Sequence, residues 1–477
     1  MKSRSFFAKS AVVGSVLSTL SMTMISCGVN YSGSMVKTKV EPKTFGNPHI
    51  YKIQDPGCDK SRAVGNFSNK TLVWIADKKG KIKQKEVDLS AFSLHGLKGS
   101  LIEDTVYSDN EVNISRGGLI AAEKNKQLLG QKYVKGTMTS QLGFNTLNFC
   151  RPKGGYDRES AENVALATLV GLESSQKAYN AHAQKSKLGK IKLIIHPKLY
   201  TFNTSGEKVY QVDNASYSYI SKPSDGWNHY ILAWPHSYNF EAENKLRFWE
   251  TPAVFGHELG HFIFRKDGEN LLTNYDLDMP VSRIIEGLDE GFADLISWYG
   301  LGATGSHYRV MHLSDFRAEK DENNYRSLSN PFIPYYTELG KETLDKTISK
   351  RFVDLVTSKS DKSDVPEILY QECHHTGAVF AYIWHQLLRE RGLEDNPEDS
   401  IRLTVRWLSE FSAQNPDKNF KNDPRGFLKA AMTTMVRVAS QAENDAIGLV
   451  NALDRDDFLR KAKELMPHYR HDLDAIL

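Results

Sequence analysis

The chain has 477 residues, enough for about three domain-sized units, and with 40% hydrophobic and 25% charged residues it is not a chain disordered throughout. Its 61 basic and 58 acidic residues give a formal charge of +3, and the surplus (Lys2, Arg4, Lys9) lies in the first 26 residues, which contain no acid. The balanced remainder lacks the clustered basic excess of a nucleic-acid-binding protein, and no later run reaches the 18 or more apolar residues of a membrane-spanning helix.

Residues 1–26 read as an export signal: a basic start, then a serine-diluted apolar stretch, Ala11–Ile25. Met24-Ile-Ser-Cys27-Gly28 follows, with an apolar residue three before the cysteine and a small one just before it. This segment resembles the bacterial lipoprotein processing box. The resemblance implies cleavage before Cys27, lipidation of its thiol and, because Gly28 rather than aspartate follows, sorting to the outer membrane. An ordinary secretory signal, with a periplasmic or secreted product, is the alternative. Export leaves Cys58, Cys150 and Cys373 in an oxidising compartment, where Cys58 and Cys150 are a candidate disulfide and three free thiols are the alternative.

Residues 27–50, rich in Ser, Gly, Pro and Lys, form a tether. Residues 51–155 favour strands: Thr71–Ala76 and Lys81–Leu89 flank a Lys78-Lys-Gly-Lys turn and predict a hairpin. No motif gives this region a chemistry. An inhibitory pro-segment, an accessory domain and a part of the catalytic lobe are all open. From Asp157, a helix cap, a helix is expected toward Ala183. Ile191–His196, Val209–Tyr219 (after a Thr-Ser-Gly turn) and His229–Trp234 then read as extended runs. Thr251-Pro252 starts another helix as N-cap and first-turn proline. Beyond about residue 300 the chain is mostly helical, with loops expected at 320–335, 357–366 and 415–425.

The helix that starts at Pro252 contains His257-Glu258-Leu-Gly-His261. Histidines at i and i+4 share one helical face, so one metal ion accepts a nitrogen from each. Glu258, about 100° round the helix, reaches an attacking water without ligating the metal, as a general base must. A second run, Ser282–Ser297, places Ile284, Ile285, Leu288, Phe292, Leu295 and Ile296 on one side and Glu286, Glu290 and Asp294 on the other. Three carboxylates in a row repel one another unless a cation or a histidine neutralises them. Glu290 as third ligand, with Asp294 accepting the ring N–H of a ligand histidine, resolves that conflict. Glu286 is the alternative third ligand, and a solvated acidic face the plain one. The mixed His/His/Glu set suits zinc.

His257–His261 followed by Glu290-Gly-Phe-Ala-Asp294 resembles the Glu-zincin metallopeptidases, especially the thermolysin-like and fungalysin-like groups. Two further segments carry the resemblance. Asp213-Asn214-Ala215-Ser-Tyr217 looks like the edge strand that pairs with substrate backbone, implying that Asn214 and Ala215 bind substrate. His374-His375-Thr-Gly377-Ala-Val-Phe380 resembles the segment whose histidine stabilises the oxyanion, a role that would fall to His374, with His375 less favoured. The resemblance spans about 157–390 and is sharp only in these four blocks. The tyrosine that assists the oxyanion in thermolysin has no clear counterpart, Tyr275 being a weak candidate, and no calcium-loop signature is visible.

The expected fold is therefore α+β. It consists of a two-lobed zincin with its mixed-sheet lobe and both motif helices in 156–310 and a helical lobe in 311–477, preceded by the β-rich region 51–155. The expected function is zinc-dependent hydrolysis of peptide bonds in peptide or protein substrates, by an exported protein tied to the membrane through a lipid anchor. The alternatives are a catalytically silent zincin-fold scaffold and a zinc hydrolase of a non-peptide substrate.

Overall fold

The computed structural model describes residues 70–76, 82–88, 102–107, 111–113, 167–168, 170–172, 175, 191–195, 198–202, 205–210, 215–219, 229–234, 248–268, 271, 280–301, 373–393, 396–420, 423–440 and 455–465. These residues form an α+β structure of helices and a small mixed sheet. The strands are β1 Lys70–Ala76, β2 Ile82–Asp88, β3 Ile102–Tyr107, β4 Glu111–Asn113, β5 Ile191–Ile195, β6 Lys198–Phe202, β7 Lys208–Tyr210, β8 Ala215–Tyr219 and β9 His229–Ala233. The helices are α1 Pro252–Asp267, α2 Pro280–Gly300, α3 Cys373–Glu390, α4 Pro397–Ser412, α5 Pro416–Asn419, α6 Pro424–Ser440 and α7 Arg455–Leu465.

The largest sheet has the order β3-β5-β9-β8. β3, β5 and β9 run parallel, while β8 runs antiparallel to β9 and lies at the edge. Side chains alternate across a strand, so Tyr217 and Tyr219 turn toward α1, where Tyr217 meets Phe262 and Arg265 lies 4.1 Å above the Tyr219 ring. A parallel β4–β6 pair with β7 antiparallel to β6 makes a three-stranded sheet, and the predicted hairpin β1–β2 forms a third. Residues 167, 168, 170–172 and 175 of the helix predicted from Asp157 are helical and buried.

One core runs through the described residues, from Val73 of β1 to Ala462 of α7. α1 is buried from Pro252 to Phe264, as expected for a helix with a largely apolar circumference enclosed by other elements. It packs on β8, α2 and α4, and α2 packs on α3. Trp384 of α3, Trp407 and Phe411 of α4 and Phe427 of α6 stack through the helical part, and the Trp384 indole N–H donates to Thr404 Oγ1 at 2.8 Å. Among the described residues no helix is long and apolar enough to cross a membrane.

The structure corrects several local expectations. The run Val209–Tyr219 is not one strand: β7 reverses onto β6 after the turn at Ser205-Gly206, and β8 joins a different sheet. Thr251 stands at the N-cap of α1 with proline behind it, but its hydroxyl is buried without a partner and caps nothing. The expected loop 415–425 holds the single-turn α5 and the start of α6, each opened by a proline at the first turn, where its missing N–H costs nothing. β3 and β4, inside the region 51–155, pair with β5 and β6 of the following segment, and Val73 of the hairpin is fully buried in the common core. The expected loops 320–335 and 357–366 lie outside the described residues.

Candidate metal centre

The site forms where α1 crosses α2. A Cβ at Gly260 would collide with Cα of Ala293, so two small residues let the helix backbones touch. The Ser297 hydroxyl fastens the same crossing by donating to the Ala253 carbonyl at 2.6 Å. The histidines, a turn apart on α1, thereby face the acidic side of α2.

His257 Nε2 and His261 Nε2 lie 3.0 Å apart, and Glu290 offers one carboxylate oxygen 3.2 Å from the first and the other 3.8 Å from the second. Donors about 2.0–2.1 Å from a shared tetrahedral ion stand about 3.3 Å from one another. The three groups are the candidate metal-holding set among the described residues, and all are buried. Glu286, the alternative ligand, is buried on α2 outside that set.

The far side of each imidazole is held by an aspartate. His257 Nδ1 is 2.8 Å from Asp294 Oδ1, the partner expected from sequence. His261 Nδ1 is 2.8 Å from Asp289 Oδ1, a contact not expected. An ionised carboxylate only accepts, so both rings carry their proton on Nδ1 and turn Nε2 inward. Two inward lone pairs beside a carboxylate are poorly matched without a cation, and the metal-holding fit rests on that mismatch. Without one, burial opposes a charge on His261, but the Asp289 and Glu290 carboxylates outweigh it and raise its pKa to about 10.

Glu258 has a different partner. Its Oε2 accepts the backbone N–H of Tyr217 on β8, and it stays outside the ligand set. Burial is the main cause that moves its pKa upward, toward the range where a carboxylate exchanges protons near neutrality. The Tyr217 ring stacks at 6.5 Å on His261, and its hydroxyl donates to His229 Nδ1 at 2.7 Å. Burial, then Arg265 and Lys266, lower the His229 pKa to about 4, so that ring is neutral and accepts. Tyr217 was read only as part of the edge-strand segment. A main-chain donor leaves no mark in the residue type, so no sequence signal could have assigned it.

Asp289 did leave one. It falls beside Ile285, Leu288, Phe292 and Ile296 on the arc expected to be apolar, and a carboxylate there calls for a partner. The acidic row itself is not a solvated face: α2 is buried on every side from Ile284 to Tyr299.

Ala215 begins β8 and is buried. His374 and His375 are in the first turn of α3, and their side chains lie outside the described residues. The α3 backbone nevertheless reaches the site, because a Cβ at Gly377 would stand 2.7 Å from Cβ of Glu290. Asn214, Tyr275, Cys27, Cys58 and Cys150 also lie outside the described residues. No family model, curated protein or solved structure matches the chain.

Proposed function

We propose that the protein is a zinc-dependent metallopeptidase of two-lobed zincin architecture. The observation that carries the reading is the division of labour on α1: two histidines join Glu290 in a buried donor set, while the intervening Glu258 stays out of it. A scaffold that only held a metal would have no use for that fourth carboxylate.

His257, His261 and Glu290 would hold the zinc, with Asp294 fixing the tautomer of His257. Bound zinc supplies Lewis acidity toward the scissile carbonyl and the attacking water. Glu258, kept in place by the Tyr217 N–H, takes a proton from that water and delivers it to the leaving amine. β8 supports a peptide substrate: it is an edge strand among the described residues, beside Glu258, and an extended chain binds such an edge by backbone pairing. Asn214 and Ala215 are the proposed pairing residues. His374, one turn ahead of the contact between Gly377 and Glu290, is the proposed donor to the developing oxyanion. The N-terminal signal supports export and lipid attachment at Cys27, with the outer membrane as destination.

The test uses the purified chain from residue 28. One zinc per chain and hydrolysis of a varied peptide library that a chelator abolishes and added zinc restores are expected. Bound zinc without hydrolysis of any peptide would favour the scaffold, and hydrolysis of esters or amides other than peptides would favour the second alternative. For the anchor, the full-length protein should partition into detergent, and Cys27→Ser should release it or block its processing. A wild-type chain recovered lipid-free from the periplasm would overturn that part.

A further inference from the structure

We infer that Asp289 retains the metal through its negative charge, beyond the hydrogen bond with which it orients His261. Asp289 Oδ1 lies 2.8 Å from His261 Nδ1, while its second oxygen is buried with no hydrogen-bond partner. The residue is 1% exposed and adjoins the fully buried Glu290. Orienting an imidazole requires only an acceptor, and a main-chain carbonyl or an asparagine oxygen would serve. A carboxylate is the costly choice, because burying a charge with one oxygen unpartnered is unfavourable and a neighbouring carboxylate adds repulsion.

The arrangement becomes favourable when a divalent cation sits among the three donors. Glu258, Asp289, Glu290 and Asp294 are then four buried carboxylates around one dication and two imidazoles. Helix α2 thus supplies the ligand Glu290 and an anionic support behind each histidine: Asp294 behind His257 and Asp289 behind His261. A carboxylate behind an imidazole also strengthens the opposite nitrogen as a donor. Asp289 is therefore a positioning residue with an electrostatic task, acting through His261 and not on the metal itself.

The inference rests on the metal-centre reading and does not depend on peptide cleavage. Its test is zinc affinity, by competition with a chromophoric chelator, and the rate of zinc transfer to excess chelator, on the chain from residue 28. Asp289→Asn keeps the size and the acceptor and removes the charge. About 10–100-fold weaker binding and correspondingly faster release are expected, with one zinc still bound at saturation. Asp294→Asn should behave alike. Asp289→Ala, whose vacated volume admits water, repeats the measurement should the amide variant not fold. A purely structural Asp289 predicts wild-type affinity and release for Asp289→Asn, and that result would overturn the inference. A wild type that takes up no divalent ion would overturn it together with the metal centre. Wild-type zinc binding without peptidase activity would sink only the peptidase reading, since the affinity ratio between variant and wild type is still measured.

Discussion

Glu258 and Glu290 are buried carboxylates near the same two histidines, and their partners separate their tasks. Glu290 reaches both inward nitrogens, so Glu290→Ala should cost most of the bound zinc. Full occupancy in that variant, measured by metal analysis, would move the third ligand elsewhere, with Glu286 next in line. Glu258→Gln should keep zinc nearly at the wild-type level, yet slow hydrolysis by about 10²–10⁴-fold or more, because an amide cannot accept the water proton. Wild-type rates in Glu258→Gln with zinc bound would show the mechanism to be wrong. A pH effect arises away from the centre. Burial, then Arg389, lower the pKa of His385 from 6.5 to about 4 while it pairs with Tyr299. The unfolded chain then binds more protons than the folded one between these values. This contribution is complete above about pH 6.5 and is lost as pH falls toward 4. Urea unfolding at pH 7.5, 6 and 5 should therefore show the stability gap between wild type and His385→Gln closing with acid, and a constant gap would refute the assignment. At this scale the sequence was most informative where one helix carries the whole pattern. His257, Glu258 and His261 are fixed by spacing alone, whereas Asp289 and Tyr217 act across elements.

The helix crossing, more than any single ligand, decides whether the centre exists. Gly260 touches Ala293, so even Gly260→Ala pushes α1 from α2, and Gly260→Val does so further. The donors must stay within the few ångströms that one ion spans. The predicted outcome is graded: weaker zinc binding for alanine, near loss for valine, and a lower unfolding midpoint for both, of the size usual for overpacked cores, about 1–3 kcal/mol. Metal titration and thermal unfolding on the same samples check it. A valine variant that binds zinc like the wild type would mean that the crossing has slack. Elements with a strong local signal were legible in the sequence: the hairpin β1–β2, the apolar β5 and β9, and α1 with its proline. β3, β4 and β6 were not. They are short, their partners are remote in sequence for β3 and β4, and the identity of a strand in a mixed sheet rests on those partners. The same dependence explains the split of 209–219, whose two halves are claimed by different sheets.

At the scale of the whole molecule the open question was the standing of residues 51–155, and their described strands bear on it. β3 lies beside β5 in parallel register from Ile102 against Ile191 to Tyr107 against Ile195. β5 is buried through Ile191, Leu193 and Ile194, so removing β3 would leave an apolar strand with an unpaired edge. The hairpin adds Val73 to the core, and β1 packs against α1 itself. A removable inhibitory segment covers a folded enzyme from outside, and its loss exposes a ready active site. A segment that contributes a strand to the sheet behind the motif helix leaves an incomplete fold when it is lost. A chain restricted to 156–477 should therefore be insoluble or lack cooperative unfolding, and should bind zinc poorly, whereas the chain from residue 28 does both normally. Supplying residues 51–155 as a separate polypeptide during refolding should recover part of the zinc binding, because the missing strand can pair from a second chain. A soluble 156–477 fragment with cooperative unfolding, one zinc and undiminished or increased peptidase activity would show the opposite: that the N-terminal strands are a cover, and that the catalytic unit begins after them.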